Sequence, residues 1–152
     1  ILPVGHGGVS VEIGRVKVRA GAAQPATGPV LARIPGLADI TSVSMDADTV
    51  SLSWRATAEP TGNFTIFAHG LGDNQVPIAQ QDQPFSYAAA WWTVGEQFTE
   101  TLAAPGLGRS RIVQLGVYDP VTQTRMPAFR PDGSRWVDDI ILFVVPMSVT
   151  LP

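Results

Sequence analysis

The chain has 152 residues, no cysteine and a formal net charge of −3. These values exclude disulfides, cysteine–zinc sites and thiol chemistry, and they argue against a nucleic-acid-binding surface, which needs a basic stripe. Residues are 45% hydrophobic and 15% charged, a composition that excludes a disordered chain and suits a single packed core. Gly and Pro are frequent between apolar runs, which favours short strands joined by turns.

The N-terminal third contains an apolar alternation, an irregular stretch and a hairpin. In residues 9–18 the apolar positions change parity at Gly14, which indicates a bulge within one strand or two separate strands. Residues 20–36 are rich in Ala, Gly and Pro and predict a long irregular connection. Residues 39–45 and 49–55 predict a hairpin, because the second segment alternates apolar and polar residues throughout.

The rest of the chain continues this pattern of short strand and turn. Further strands are predicted at residues 63–71, 75–82, 98–102 and 111–118. The last, residues 136–145, is apolar on both faces at its end, which indicates a central position. About eight or nine strands with frequent turn signals are typical of a sandwich. We therefore predict one all-β domain over residues 1–152, an antiparallel β-sandwich of immunoglobulin-like or jelly-roll-like type.

Residues 83–95 interrupt the strand pattern with four large aromatic side chains. One interpretation is that this loop folds back and plugs the open end of the sandwich, since large aromatic side chains are usually buried. The other is that exposed rings stack on sugar rings. The second interpretation makes Tyr87, Trp91 and Trp92 candidate ligand-binding residues, although Trp92 is the one most expected in the core.

His69 and Asp82 are the other candidate ligand-binding residues. His69 alternates with Phe67 and Leu71 on what the pattern indicates is the apolar face of a strand. A neutral imidazole held by hydrogen bonds is the common outcome for such a residue, and ligand contact is the alternative. Asp82 precedes a Gln-Pro turn, where its carboxylate can fix the turn, pair with an arginine or contact a ligand.

Several other acidic residues have structural explanations. Asp46 and Asp48 flank the tip of the predicted hairpin and are an alternative for calcium, although the chain has no Asp-x-Asp-x-Asp loop. Asp138 and Asp139 are neighbours in a predicted strand, which directs their side chains to opposite faces. Across the turn of residues 120–124, Asp119 and Arg125 are predicted to form an ion pair.

Motifs of catalysis are missing from the sequence. It contains no Gly-x-Ser-x-Gly, no Walker loop and no dinucleotide fingerprint. We therefore predict no catalytic residues, no metal site and no cofactor, and expect that this chain is not itself an enzyme. A hydrolase that uses the carboxylates of Asp82 and Glu96 is an alternative, which requires both groups in one cleft at roughly 5–9 Å.

Six short stretches, taken in order, resemble one protein family. They are Trp54, residues 67–71 (Phe-Ala-His-Gly-Leu), residues 79–84 (Ala-Gln-Gln-Asp-Gln-Pro), residues 92–96 (Trp-Thr-Val-Gly-Glu), residues 116–120 (Gly-Val-Tyr-Asp-Pro) and residues 125–127 (Arg-Met-Pro). This order resembles the soluble C-terminal β-sandwich domain of bacterial membrane glycosyltransferases similar to dolichyl-phosphate-mannose protein mannosyltransferases. The sequence departs from the family pattern at Gly70, which is inserted, and at Gln123, where the family has Gly.

The resemblance implies that the chain is the extracytoplasmic part of a longer membrane-bound transferase, whose catalytic acid lies elsewhere in that longer chain. It implies a non-catalytic accessory domain that contacts a glycan or the membrane part of its own chain. The expected location is the extracytoplasmic face of the cell membrane. The alternative is a protein-interaction sandwich without a small ligand, and an exposed apolar patch is the feature that favours it.

Overall fold

A computed structural model describes residues 29–146, in which eight antiparallel strands form two four-stranded sheets. The first sheet has the strand order β1-β2-β3-β6 and the second has the order β5-β4-β7-β8. The prediction of an antiparallel β-sandwich is confirmed. The strands are β1 (Ala32–Ile34), β2 (Ala38–Asp46), β3 (Thr49–Ala56), β4 (Thr65–Leu71), β5 (Pro77–Pro84), β6 (Gln97–Ala103), β7 (Ile112–Tyr118) and β8 (Ile141–Val144).

The core between the sheets is built by alternating side chains. A strand directs successive side chains to opposite faces, so every second residue of β3 and β7 reaches the core, as the sequence predicted. Removal of these apolar side chains from water is the main stabilising contribution to such a fold. The core residues of these two strands are Val50, Leu52, Trp54, Val113, Leu115 and Val117.

Strand β4 directs to the core the side chains that were predicted to face outward, and directs outward those that were predicted to face the core. Ile66 and Ala68 belong to the core cluster, so alternation places Phe67 and His69 on the outer face of the second sheet. The prediction was wrong because β4 carries apolar residues on both faces, and the larger ones lie on the outer face. As a result, His69 is open to solvent on one side and is only partly buried.

The last strand is shorter than predicted and lies at an edge. It covers Ile141–Val144, so the prediction that the strand begins at residue 136 was wrong. Among residues 29–146 it pairs only with β7, which places it at the edge of the second sheet as described and not at its centre. A short 3-10 helix, Val137–Asp139, precedes it. Asp138 and Asp139 have φ of 54° and 56°, in the left-handed region that interrupts an extended strand. Their predicted placement on opposite faces of a strand was therefore also wrong.

The N-terminal predictions are only partly covered by the described residues. The alternation in residues 9–18 lies outside them. The end of the segment predicted as an irregular connection forms β1, which pairs with β2 through Ala32 and Ile40. Within residues 29–146, no helix has the length and apolarity needed to cross a membrane.

The β7–β8 segment, residues 119–140, positions the candidate site. Isolated backbone bridges join Arg125 to Tyr118 at the end of β7, and Phe129 to Arg33 in β1. The segment begins with a turn in which Asp119 Oδ1 accepts a hydrogen bond of 2.8 Å from the Val121 N–H. The first bridge keeps the start of the segment beside β7, and the second joins the segment to β1 of the first sheet. Between these two points the segment forms one wall of a cleft.

Candidate functional site

A cleft of about 760 Å³ lies on the outer face of the second sheet. Its floor consists of residues from three adjacent strands, β4, β5 and β7, and its wall is the β7–β8 segment. This volume is within the range of small-molecule sites, about 300–1,000 Å³. The floor presents Phe67, His69, Asp82 and Tyr118, and the wall includes Gln123, Arg125, Arg135, Asp138 and Asp139.

Strand register brings His69, Asp82 and Tyr118 together. Asp82 of β5 stands directly opposite Phe67 of β4, so His69, two residues further along, is its diagonal neighbour on the same face. His69 Nε2 lies 2.7 Å from Asp82 Oδ1. The Tyr118 hydroxyl reaches over β4 from β7 and donates a hydrogen bond of 3.0 Å to Asp82 Oδ2. Both carboxylate oxygens of Asp82 are therefore engaged.

The Phe67 ring supports these polar groups from below. It is only 2% exposed, and it lies 5.0 Å from the His69 ring and 6.2 Å from the Tyr118 ring, between centroids. Gly116 stands opposite Phe67 on β7, and a Cβ atom there would overlap the Phe67 ring. The absence of a side chain at Gly116 thus leaves room for the Phe67 ring beneath the cleft.

An ion pair and an arginine form the wall. Arg135 donates two hydrogen bonds, of 2.7 and 2.8 Å, to the two oxygens of Asp139, and this pairing holds the pKa of Asp139 below its ordinary value. Asp139 Oδ1 also accepts a bond of 3.1 Å from the Ala128 N–H. The Arg125 guanidinium lies 5.7 Å from the centroid of the Phe67 ring, within the range of a cation–π contact.

Burial raises the pKa of the Tyr118 phenol, and the neighbouring Asp82 carboxylate raises it further. Tyr118 therefore remains protonated at neutral pH and acts as a donor to Asp82. The Asp138 side chain, in contrast, is exposed and forms no hydrogen bond with the described residues. The cleft accordingly has a fixed network on its floor and an open carboxylate on its wall.

Three residues of the wall have backbone conformations that are uncommon for L-amino acids. Gln123, Asp138 and Asp139 have φ of 61°, 54° and 56°, and each such conformation is destabilising by of order 1 kcal/mol or more. Strained backbone conformations concentrate at functional sites. Among residues 29–146, the other three non-glycine residues with positive φ, Ala47, Asn74 and Gln75, lie outside the cleft.

The described residues of the cleft offer several polar groups to a ligand. In the described residues the only hydrogen-bond partner of His69 is Asp82, and no hydroxyl nucleophile is bonded to its ring. No group of three metal-ligating side chains occurs in residues 29–146. The carboxylates, guanidinium groups, imidazole and amide that line the cleft are all groups that hydrogen-bond polar ligands.

The aromatic loop forms a plug at one end of the sandwich. Trp92 is 1% exposed and its Nε1 donates a hydrogen bond of 2.9 Å to the Tyr87 carbonyl. Phe85 and Phe98 lie 4.8 and 4.6 Å from Trp92, between ring centroids. Two of the loop's four large aromatic side chains, Phe85 and Trp92, belong to the core cluster, as the interpretation of the loop as a plug expects. We call Phe85, Tyr87, Trp92 and Phe98 the aromatic plug.

The candidate ligand-binding residues of the loop differ in their exposure. Trp92 is buried, so neither face of its ring is open to a sugar. The prediction of Trp92 as a ligand-binding candidate was therefore wrong, and Trp92 is a core residue. Tyr87 is partly buried, and its hydroxyl donates a hydrogen bond of 2.8 Å to Glu96 Oε1. Trp91 is 39% exposed, but the structure does not bring it together with His69 and Asp82.

The paired carboxylates expected of a hydrolase are also separated. Glu96 precedes β6 in the first sheet and accepts hydrogen bonds from Tyr87 and from the Thr93 N–H. Asp82 faces the cleft on the second sheet, and Glu96 does not line that cleft. Within residues 29–146, Asp82 and Glu96 are thus not brought together in this cleft.

Asp48 and Asp119 each accept a hydrogen bond from a backbone N–H group in a turn. Asp48 accepts a hydrogen bond of 2.9 Å from the Gly108 N–H, and this bond with a second from Gly106 lowers the pKa of Asp48. The predicted ion pair of Asp119 with Arg125 is not formed, because Asp119 caps its own turn while Arg125 lies over Phe67.

Sequence reasoning missed Tyr118 and the residues of the wall. Tyr118 could have been found, because the core positions of β7 are Val113, Leu115 and Val117, which directs residue 118 outward. The wall residues carried no such signal, because their position depends on the path of the β7–β8 segment.

Comparison of the chain with protein-family models, with curated proteins and with solved structures gave no match.

Proposed function

We propose that this chain is a non-catalytic, glycan-contacting accessory domain of a bacterial membrane glycosyltransferase, located on its extracytoplasmic face. The observation that carries the proposal is the cleft itself. It combines an aromatic floor with the hydrogen-bonded set of His69, Asp82 and Tyr118, and its wall adds the polar side chains of Gln123 and Arg125.

Such a cleft suits a saccharide for physical reasons. A sugar presents many hydroxyl groups that both donate and accept hydrogen bonds, so it needs a wall of planar polar side chains in fixed positions. Asp82 is fixed by two partners and Asp139 by Arg135. Because these groups are ordered before a ligand arrives, binding loses less conformational entropy.

The positions of the resemblance motifs support the same proposal. Phe67 and His69 come from one motif, Asp82 from a second, Tyr118 from a third and Arg125 from a fourth, and all of them line the cleft. These motifs are separated in sequence by up to nearly sixty residues. Their convergence on one surface is more than the packing of a core requires.

Gln123 supports the resemblance in a second way. The family has Gly at this position of the hairpin, and Gln123 has φ of 61°, a conformation that glycine adopts without steric strain. The backbone conformation at this position is thus the one that the family pattern would require, although the residue is different.

Glycan arrays followed by calorimetric titration test the proposal. We expect a neutral or acidic oligosaccharide to bind, and we expect Asp82→Asn to weaken that binding at least tenfold, about 1.4 kcal/mol, because it disturbs the contacts of both His69 and Tyr118. Trp91→Ala is the matched control and should leave the affinity unchanged. Absence of binding to any glycan, or binding that requires Trp91 and not Asp82, would overturn the proposal.

A second candidate function is protein interaction through the edge of the second sheet. Leu142 and Val144 of β8 and the nearby Val137 are all exposed, and exposed apolar side chains on an edge strand favour contact with another chain. Here the partner would be the membrane part of the same transferase. Crosslinking in the full-length chain should then be reduced by Val144→Lys while glycan binding by the isolated domain is retained.

A further inference from the structure

We infer that the neutral imidazole of His69 recognises the ligand by accepting a hydrogen bond at Nδ1. The donor is a hydroxyl group of an uncharged saccharide, and this saccharide binds more weakly in acid. This inference rests on the proposed function. It adds the class of saccharide, the atom that recognises it and a dependence on pH.

The contact with Asp82 fixes which ring nitrogen carries the proton. An ionised carboxylate only accepts hydrogen bonds, so the 2.7 Å contact between His69 Nε2 and Asp82 Oδ1 requires the proton on Nε2. In the neutral ring, Nδ1 then holds a lone pair and can only accept. The Tyr118 hydroxyl bonds to the other oxygen of Asp82 and so keeps the carboxylate in the orientation that this tautomer needs.

The acceptor is available to a ligand. The His69 side chain is 30% exposed and lines the cleft, and within residues 29–146 its only hydrogen bond is the one from Nε2. A polar atom in such a position is satisfied by water or by a ligand. A saccharide hydroxyl is a donor of suitable size, whereas an ionised carboxylate or a phosphate dianion has no proton to donate to Nδ1.

The charges around the ring also favour an uncharged ligand. Asp82 faces it from β5 and Tyr118 from β7, while Arg125, Arg135, Asp138 and Asp139 lie on the wall. Arg135 and Asp139 neutralise one another through two hydrogen bonds. The remaining carboxylates, Asp82 and Asp138, outnumber the remaining guanidinium of Arg125, so the cleft has no positive excess to attract an anion.

The pH dependence of saccharide binding follows from the kinds of titratable side chain in the cleft. Histidine is the side chain that ordinarily changes its charge between about pH 5 and pH 8. Tyr118 has a raised pKa and Asp139 a lowered one, so both titrate further from this range. Protonation converts Nδ1 from acceptor to donor, and the ligand hydroxyl loses the bond that it donated. A neutral saccharide should then bind more weakly, whereas an anionic one would bind more tightly.

Calorimetry or NMR titration at pH 8 and pH 5.5 tests this inference. The probes are neutral oligosaccharides of two to four hexose units and the same compounds bearing one phosphate or uronic acid. We expect the neutral probes to bind roughly 5- to 10-fold more weakly at pH 5.5, the equivalent of about one hydrogen bond. Tighter binding in acid, or a preference for the anionic probes, would overturn the inference.

Two variants separate the roles of the ring nitrogens. His69→Asn places an amide oxygen near the Nδ1 position and does not titrate, so binding should persist without the pH dependence. His69→Gln places an amide nitrogen near the Nε2 position, which retains the bond to Asp82 but loses the acceptor, so binding should be weak at both pH values. His6, the second of the chain's two histidines, remains in both variants, and a pH dependence that survives them would contradict the inference.

The tautomer is measurable without any ligand. Long-range ¹⁵N–¹H correlation spectra of the free protein should give Nε2–H for His69, and an Nδ1–H tautomer would contradict this inference even if glycans bind. Glycan binding without a pH effect would likewise overturn it and leave the proposed function standing. No binding of any probe by a protein with the expected tautomer would overturn the proposed function, and this inference with it.

Discussion

The aromatic plug and the cleft contain similar side chains, but these side chains differ in their burial and in their hydrogen bonding. In the plug, the Trp92 N–H and the Tyr87 hydroxyl have hydrogen-bond partners within the chain, and Trp92 is buried. In the cleft, Asp82 is fixed by two partners, but Nδ1 of His69 has no hydrogen-bond partner among residues 29–146. Aromatic content alone therefore does not identify a binding surface. Polar groups that are held in place and still have unused hydrogen-bonding capacity identify it better.

The largest expected effect comes from the plug. Trp92→Ala removes a buried ring that contacts Phe85 and Phe98, and the cavity should lower the free energy of unfolding by about 3–5 kcal/mol. Urea denaturation followed by far-UV circular dichroism measures this. Trp91→Ala is the matched control in the same loop, and because Trp91 is more exposed its effect should be below about 1 kcal/mol. Equal losses for the two variants would contradict the assignment of Trp92 to the core.

The next effect tests the floor of the cleft. Gly116→Ala places a methyl group against the Phe67 ring, so the ring must move, and overpacking of this kind is destabilising by about 1–3 kcal/mol. Glycan affinity should fall as well, because His69 and Tyr118 rest on that ring. Gly62→Ala is the control, since its Cβ meets only Phe64, at 3.8 Å. An unchanged affinity in a folded Gly116→Ala protein would show that the ring does not position the site.

A pair of hydroxyl deletions compares the two regions directly. Tyr118→Phe removes the donor to Asp82, and Tyr87→Phe removes the donor to Glu96. Each should lower stability by about 1 kcal/mol, the usual net contribution of a hydrogen bond. Only Tyr118→Phe should also weaken glycan binding in calorimetry. A loss of affinity in both variants, or in Tyr87→Phe alone, would place the ligand at the plug.

The smallest expected effect concerns the ion pair of the wall. Arg135 lowers the pKa of Asp139, so the pair stabilises the fold above the pKa of an unfolded aspartate, about 3.9. That stabilisation is lost as the pH falls through the lower pKa of the folded state. Asp139→Asn should therefore lower stability at pH 7 by no more than about 1 kcal/mol, because the Arg135 side of the pair is 57% exposed. The difference should shrink as the pH is lowered below about 3.9.

Urea denaturation at pH 7 and at pH 3 measures the effect. Asp73→Asn is the control, because Asp73 and Arg111 form an ion pair that is far more exposed, and it should have no measurable effect. A stability difference for Asp139→Asn that is larger at pH 3 than at pH 7 would contradict the role given to Arg135.

The fold could be predicted from the sequence because most strands are apolar on one face only. Val50, Leu52 and Trp54 of β3 identified their core face correctly. In β4 the pattern was ambiguous, because Ile66 and Ala68 line the core while the larger Phe67 lies under the cleft. A second layer of chain over the outer face of a sheet allows apolar residues there, and alternation within one strand cannot reveal that layer.

The site could be predicted only in part for the same reason. His69 and Asp82 were identified as candidates, but not as partners, because their contact depends on the register between β4 and β5. The position of the wall depends on left-handed conformations at Asp138 and Asp139. Aspartate adopts that conformation more readily than most residues, but it does so too rarely for the sequence to predict it.

Amide and side-chain NMR of the ¹⁵N-labelled protein, titrated with neutral oligosaccharides at pH 8, would locate the ligand most directly. The expected result is that the resonances of His69, Asp82, Tyr118 and Arg125 shift in a saturable manner while those of Trp91 and Trp92 do not. Saturable shifts confined to the aromatic loop, or to the exposed edge of β8, would contradict the assignment of the cleft as the glycan-binding surface.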